Sequence, residues 1–188
     1  MRMKTINSLI IKKTMFFMYI LLVLAITLLP INFMFKLDFN RIRYNLIPFE
    51  FFSNGIDKLR VLCENGRSLN QALIIVLTEI IKSFGYNIIL FIPMGLFFPL
   101  IYEKKYNIKK IILTSLFLSI CIEIFQVIEM VLTFTSWRTF DIDDIIANAI
   151  GGGVGFLCYK FLLYCKNSLT KILKNKKSTM LSIFFDLY

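Results

Sequence analysis

The chain has 188 residues, 57% of them hydrophobic, and a mean hydropathy of +0.72. Soluble domains are about half apolar, and several apolar runs here are long enough to cross about 30 Å of hydrocarbon, so the composition excludes a soluble globular protein. The net charge of +10 is confined to short segments that flank apolar runs, as the positive-inside rule predicts. We therefore expect a multi-pass protein of the cell membrane, with the lipid bilayer around it and no nucleic-acid partner.

The basic excess lies in residues 1–13, 102–110 and 160–188, which together hold 14 of the 22 lysine and arginine residues. Because cytoplasmic segments carry such an excess, both termini are predicted to be cytoplasmic. The chain has no histidine, which removes mechanisms based on imidazole, and its four cysteines form no CxxC pair. We therefore predict no disulfide framework, no metal site and no cofactor.

The apolar pattern divides the chain into a basic N-terminus (residues 1–13), a transmembrane domain (residues 14–165) and a basic cytoplasmic tail (residues 166–188). The first predicted span covers residues 14–35. It is too long for the apolar part of a signal peptide and lacks a small-residue cleavage site, so we expect it to be retained. The predicted fold is an all-α integral membrane protein with about four transmembrane helices, plus an interfacial amphipathic helix after the first outer loop.

A polar segment follows the first span at residues 36–67. It contains the sequence NLIPF, in which Asn45, Pro48 and Phe49 stand among apolar side chains that suit a loop on the membrane interface. Proline also biases the residue before it toward extended geometry. Residues 68–82 begin with a Ser-x-x-Gln capping box, and they are predicted to form either an interfacial amphipathic helix or a lead-in to the second span.

The second predicted span, residues 84–101, contains Asn87, Pro93 and Gly95. Pro93 cannot donate a backbone hydrogen bond and clashes with the carbonyl four residues earlier, and in a bilayer that carbonyl needs another donor. Gly95 permits close approach of a neighbouring helix. A structural kink and a kink that shapes a polar pocket are both open interpretations.

The third and fourth predicted spans cover residues 111–134 and 145–164. Each carries a stripe at helical spacing, and on consecutive antiparallel helices we expect the two stripes to face each other. Glu129 points away from its own stripe and is expected to stay hydrated near the outer interface. The stripes consist of Ser119, Glu123 and Gln126 in the third span and of Asp144, Asn148, Gly151 and Gly155 in the fourth.

Gly151 and Gly155 form a GxxxG pattern, which allows helices to pack closely in membranes. Packing against the second span within the chain is the favoured interpretation, and dimerisation is the alternative. The pattern does not predict the oligomeric state.

Three aspartates, Asp141, Asp143 and Asp144, stand at the start of the fourth-span helix. One hypothesis is structural: the carboxylates cap the helix, and Arg138 pairs with one of them or with Glu123. The other is a polar pocket open to the outer face, in which the carboxylates could hold Mg²⁺ and Arg138 could grip a phosphate or carboxylate. Such a pocket would bind a lipid head group or an envelope precursor; its lining would be Glu123, Gln126, Arg138, Asp141, Asp144 and Asn148.

Three blocks in this order resemble the VanZ-like family of membrane proteins, named after an accessory teicoplanin-resistance protein of Gram-positive bacteria. They are NLIPF at residues 45–49, N-x-x-x-F-x-P-x-G at residues 87–95, and a block that runs from Glu123 through Arg138, the aspartates and Asn148 to Gly152. The resemblance covers about residues 15–165. It implies a role at the cell surface in tolerance to lipoglycopeptides and establishes no catalytic mechanism.

The favoured hypothesis is a non-enzymatic membrane protein that binds an envelope lipid or the antibiotic's tail and limits access of teicoplanin to its target. One alternative is a small membrane enzyme acting on a lipid or lipid-linked precursor, with Asp141, Asp143 or Asp144 as general base or metal ligand. The other is a proton-coupled transporter that uses Glu123 as its carrier. We assign no catalytic residue.

Overall fold

The structure, a computed structural model, describes residues 2–29, 38–102, 106–132 and 138–186. Four of its helical segments are long and apolar enough to cross a membrane, so the predicted all-α membrane fold is confirmed. The elements in chain order are α1 (Arg2–Leu28), a 3-10 helix (Phe39–Arg41), β1 (Tyr44–Asn45), α2 (Glu50–Glu64), α3 (Leu69–Ile80), a π-helical turn (Ile81–Gly85), α4 (Tyr86–Tyr102), α5 (Ile108–Leu132), β2 (Phe140–Asp141) and α6 (Ile142–Asp186).

The first helix ends earlier than the sequence predicts. α1 ends at Leu28, whereas the predicted span covers residues 14–35. Leu29 immediately precedes Pro30, and a residue before proline disfavours helical geometry, which explains the earlier end. The last residues of the predicted first and third spans lie outside the described part of the chain. The candidate spans are Leu9–Leu28, Leu69–Tyr102, Ile108–Leu132 and Ile142–Leu173.

The last helix is longer than the predicted span of residues 145–164. α6 begins at Ile142 and continues to Asp186, so it includes most of the predicted tail. Residues 156–186 contain neither glycine nor proline, the two residue types that most disfavour a helix interior. No residue in this stretch therefore interrupts the helix.

α3 leads directly into α4 through the π-helical turn, as in the lead-in interpretation of residues 68–82. Ser68 is the N-cap of α3, and its side chain accepts a hydrogen bond from the backbone N–H of Gln71 at 3.4 Å. This is the bond that the capping-box sequence predicts.

α2 packs against α3 as a helical hairpin before the second span. Gly55 is buried in this contact, and a Cβ added there would lie 3.1 Å from Val76. Lys58 on α2 and Glu79 on α3 form an exposed ion pair at 2.6 Å. The hairpin carries many exposed apolar side chains, among them Phe52, Ile56, Leu73, Ile74 and Leu77, which suits a membrane surface.

The closest helix contact is between α4 and α6, and glycines make it possible. A Cβ on Gly151 would overlap the carbonyl oxygen of Ile88, and a Cβ on Gly155 would overlap that of Ile92. Gly95 lies against the backbone of α6 in the same way. Small residues allow such backbone approach in membranes, so the GxxxG pattern packs within the chain.

α1 lies against α4 and α5, where Tyr19 and Val23 join a buried cluster with Phe91, Met94 and Ile122. The Tyr19 hydroxyl donates a 2.8 Å hydrogen bond to the carbonyl of Leu90, three residues before Pro93. This hydrogen bond joins α1 to α4 beside the buried cluster.

Two loops are joined at one end of the helix bundle by a short parallel ladder. Tyr44 pairs with Phe140, and Asn45 pairs with Asp141. α1, α4, α5 and α6 all bring a polar residue to this end, which we call the loop end. These residues are Thr27, Asn87, Gln126 and Asp144.

Candidate functional site

The three aspartates at the start of α6 each accept a hydrogen bond from a different part of the protein. Asp141 accepts one from the backbone N–H of Asp143 at 2.9 Å, within the first turn of α6. Asp143 accepts one from the backbone of the first loop, and Asp144 accepts one from a side chain on α4. The aspartates therefore cap α6 and also connect it to distant segments.

The NLIPF loop is hydrogen-bonded to two of these aspartates. The side-chain amide of Asn45 donates to Oδ1 of Asp141 at 3.3 Å, and the backbone N–H of Phe49 donates to Oδ1 of Asp143 at 2.7 Å. Phe49 has the left-handed backbone geometry (φ 63°). Pro48, which lies between Asn45 and Phe49 in the sequence, is exposed. The loop that was predicted to lie on the membrane interface is thus also bound to the start of α6.

Asn87 on α4 connects the second block to the third. Its side-chain amide donates to Oδ1 of Asp144 at 2.5 Å and to the carbonyl of Ser83 at 3.3 Å. Pro93 and Gly95 lie farther along α4, and Gly95 packs against the backbone of α6. Asn87 therefore belongs to the aspartate cluster, whereas Gly95 serves helix packing.

The two polar stripes on α5 and α6 face each other only in part. Asn148 of the α6 stripe contacts Ser119 on α5, whereas Asp144, Gly151 and Gly155 contact α4. Glu123 is only 1% exposed, and its Oε2 accepts a 3.1 Å hydrogen bond from the backbone N–H of Asp141. One turn deeper, the amide of Asn148 donates to the hydroxyl of Ser119 at 2.8 Å. Gly152 packs on Ser115 in the same interface.

Arg138 has a different partner from those that the sequence suggests. Instead of an aspartate or Glu123, its Nε lies 3.0 Å from Oε2 of Glu129, and Nη1 donates to the carbonyl of Thr27. Gln126 donates to the same carbonyl at 3.1 Å. These contacts join α1, α5 and the segment before α6.

The expectation of a hydrated Glu129 is wrong, since this residue is only 7% exposed. A charged group at membrane depth is costly without a partner, and Arg138 supplies one. The sequence contains an indication of this position of Glu129: it follows Gln126 by three positions, so the two residues lie on the same face of α5. Thr27 could not be found in this way because its backbone, not its side chain, makes the contact.

A cavity of about 370 Å³ lies beside this junction, and we call it the polar cavity. Neither Glu123 nor an aspartate lines it, so the single predicted pocket is divided. Its polar groups stand among apolar side chains, and its lining residues are Ile26, Thr27, Tyr86, Asn87, Ile89, Leu90, Gln126 and Arg138.

A second cavity of about 170 Å³ is lined by residues of α1, α4 and α5, and we call it the apolar cavity. Some of its lining residues are sequence neighbours of residues that line the polar cavity. On α4, Leu90 lines the polar cavity and Phe91 lines the apolar cavity. On α5, Gln126 lines the polar cavity and Phe125 lines the apolar cavity. Its walls include Tyr19, Val23, Phe91, Met94, Cys121 and Phe125. The three helices therefore carry a cavity with several polar groups at the loop end and an apolar cavity farther from that end.

The electrostatics around Asp141 are set chiefly by burial. Burial raises the pKa of the Asp141 carboxyl, and the charge of Asp143 raises it further, while hydrogen bonds from the Asp143 backbone and the Asn45 amide oppose this rise. Among the described residues, no three acidic or cysteine side chains are placed to hold a metal ion together. The described geometry therefore offers no support for the Mg²⁺ interpretation.

A helix bundle with four candidate membrane spans, whose loops converge on aspartates at one end, defines a polytopic α-helical membrane protein. The VanZ/LLP1 family model matches residues 16–163, so the chain belongs to this family. No curated protein and no solved structure matches the chain. The three sequence blocks that carry the family resemblance are the segments that meet at the aspartates.

Proposed function

We propose that this protein binds a membrane amphiphile between α1, α4 and α5, and that this binding contributes to tolerance of lipoglycopeptides such as teicoplanin. The observation that supports the proposal is the succession of the polar and apolar cavities along the same three helices. An amphiphile has the same order of polarity, with a polar group at the membrane surface and an acyl chain below it.

The polar cavity offers suitable chemistry for a head group. The guanidinium of Arg138 carries five N–H donors, more than its contacts with Glu129 and Thr27 require. It can therefore hold a phosphate or carboxylate oxygen as well. The amides of Asn87 and Gln126 also line this cavity, and they add both donors and acceptors.

The apolar cavity suits an acyl chain because its walls are almost entirely hydrocarbon and aromatic. Burial of one methylene group in such surroundings contributes about 0.8 kcal/mol. The basic flanks of the spans support an orientation in which the loop end faces outward, and the proposal adopts it. The ligand is then either an envelope lipid or the acyl tail of the antibiotic, and its capture limits access of the antibiotic to its target.

The test compares filling of the apolar cavity with a matched change on the lipid-facing surface. Cys121 lines the cavity, whereas Cys158 on α6 is exposed, so Cys121→Trp blocks the site and Cys158→Trp is the control. Susceptibility to teicoplanin and to a glycopeptide without an acyl chain is measured in a sensitive Gram-positive host, with membrane protein levels checked by blot.

We expect wild type and Cys158→Trp to raise tolerance of teicoplanin alone, and Cys121→Trp to lose this effect at equal protein level. Equal tolerance from both tryptophan variants would argue against an acyl-chain site. An unchanged susceptibility with wild type would argue against the antibiotic role itself.

We do not propose the two alternatives, because the geometry gives the relevant carboxylates other roles. Asp141, Asp143 and Asp144 each accept a hydrogen bond that holds a loop or a helix in place. Glu123 accepts one from the backbone of Asp141, which ties α5 to the start of α6. These roles account for the positions of the four side chains without chemistry or proton transport.

A further inference from the structure

A third cavity lies on the other side of the aspartates, between the start of α6 and the α2–α3 hairpin. It has a volume of about 30 Å³, and we call it the acidic cavity. A hollow of this size holds one or two groups the size of a water molecule. Its lining residues are Phe51, Ser83, Phe84, Asp141, Asp143 and Asp144.

Among the described residues, one buried oxygen of a residue that lines this cavity has no hydrogen-bond partner. Asp143 is only 4% exposed, and its Oδ1 accepts the hydrogen bond from Phe49. In the part of the chain that the structure describes, its Oδ2 has no hydrogen-bond partner. A buried carboxylate oxygen in this state costs the full desolvation of the group, so a donor from outside the chain would stabilise it.

The charge around the cavity is negative, because three carboxylates line it and none of the described residues that line it is a lysine or an arginine. Arg138 is paired with Glu129, and Lys58 is paired with Glu79. The other lining residues are Ser83, Phe51 and Phe84, and the ring centroids of the two phenylalanines lie 5.1 Å apart. Carboxylates beside aromatic rings are the chemistry that recognises organic ammonium groups, whereas a metal ion requires more oxygen ligands.

We propose that the acidic cavity binds a primary ammonium group that donates to Asp143. A neighbouring groove of about 250 Å³ between α2 and α3 shares Phe51 and Ser83 with the cavity. The groove gives room for the chain that carries the amine. The ligand is therefore a primary amine on a short linker, whose source is a lipid head group or a soluble alkylamine. This site is separate from the polar and apolar cavities, so it does not depend on the proposed function.

The π-helical turn Ile81–Gly85 contributes Ser83 and Phe84 to this site. Such turns insert an extra residue into a helix and often occur at functional sites. Here the turn also separates α3, which packs on α2, from α4, which packs on α6. Ser83 is exposed on the helix surface, and its hydroxyl donates to the carbonyl of Glu79, so a larger side chain is tolerated there.

The test uses the full chain in nanodiscs of phosphatidylglycerol, with n-butylammonium as the probe and tetramethylammonium and sodium at the same ionic strength as controls. A ligand that binds the folded state raises the unfolding temperature in proportion to the logarithm of its concentration above Kd. Asp143→Asn keeps the acceptor for Phe49 and removes the charge, and Ser83→Leu fills the cavity without altering an aspartate. Thr78→Leu is the matched control, because the exposed Thr78 hydroxyl makes the same kind of hydrogen bond, to the carbonyl of Ile74.

We expect n-butylammonium to stabilise wild type and Thr78→Leu, and its apparent affinity to fall at least about tenfold in Asp143→Asn and Ser83→Leu. Tetramethylammonium, which is too large for the cavity, has no effect. Equal stabilisation by all three cations, or an undiminished response in Ser83→Leu, would overturn the proposal. If Asp143→Asn does not fold, the comparison of Ser83→Leu with Thr78→Leu decides.

A second arm identifies the source of the amine. Part of the phosphatidylglycerol is replaced by phosphatidylethanolamine, whose head group carries a primary ammonium. If this lipid stabilises wild type and removes the response to n-butylammonium, the ligand is a lipid head group. If n-butylammonium acts equally in both nanodiscs, the ligand is a soluble amine. Either result supports the site, and a lack of stabilisation by both amines refutes it.

Discussion

The backbone N–H of Phe49 donates a 2.7 Å hydrogen bond to Oδ1 of Asp143, although 94 positions separate the two residues. Phe49 has φ 63°, a left-handed geometry that costs a residue with a side chain about 1–2 kcal/mol. Hydrogen bonds to an ionised acceptor are stronger than those between neutral groups. The bond therefore offsets a strained loop and fixes the first loop to the start of α6.

Removal of this acceptor is expected to destabilise the fold. Asp143→Ala leaves the N–H of Phe49 without its partner and should lower the free energy of unfolding by about 1–3 kcal/mol, whereas Asp143→Asn retains an acceptor and should cost less. Denaturant unfolding of the purified protein in detergent measures the difference. Asp57→Ala on the exposed side of α2 is the control. An equal loss in both Asp143 variants would mean that this bond contributes little.

The close contact between α4 and α6 predicts opposite effects for two glycines in the same helix. Gly155→Ala places a methyl group against the Ile92 carbonyl and should destabilise the protein by about 1–3 kcal/mol, the usual cost of overpacking. Gly153 has only ordinary contacts, at 3.9 Å and beyond, so Gly153→Ala should be neutral or stabilise by up to about 1 kcal/mol through helix propensity. Thermal unfolding of the two variants side by side checks this; similar effects would contradict the contact.

The ion pair between Arg138 and Glu129 should show strong coupling because both side chains are nearly buried, with 11% and 7% exposure. Arg138→Met or Glu129→Leu alone leaves an uncompensated charge and should cost about 3–5 kcal/mol, while the double variant recovers most of that loss. The exposed pair of Lys58 and Glu79 is the control, for which coupling of at most about 1 kcal/mol is expected. A double-mutant cycle in unfolding free energy gives both values, and additive losses at Arg138 and Glu129 would exclude the pair.

The raised pKa of Asp141 predicts a pH dependence of stability with a definite sign. Since burial raises this pKa above its ordinary value of 3.8, the folded state binds the proton more tightly than the unfolded state does. The contribution of Asp141 is therefore fully present below pH 3.8 and is lost as the pH rises through the folded-state pKa.

Asp141→Asn removes this titration, so its unfolding temperature should fall less than that of wild type as the pH rises above 3.8. Unfolding temperatures across the acidic range for both proteins measure the difference, with Asp57→Asn as the exposed control. Parallel curves for wild type and Asp141→Asn would show that the pKa of Asp141 is unchanged on folding.

Local patterns in the sequence determined the class of protein, the approximate positions of the spans and several details of their ends. The Ser68 cap and the stripe that places Glu123 opposite the start of α6 both follow from residues within one or two helical turns of each other. Such features depend on backbone geometry and on hydrophobic period. These local features can therefore be predicted without knowledge of how the helices are arranged.

Only the tertiary structure decided which polar groups are partners. Arg138 pairs with Glu129 rather than with Asp141, and one pocket predicted from the polar residues is divided into separate cavities on either side of the aspartates. These outcomes depend on how each helix is rotated and on which loops meet, since a buried charge takes the partner that packing brings within reach. The spacing of residues along one chain carries no measure of that distance, and for this reason the sequence names the residues of the site but not their contacts.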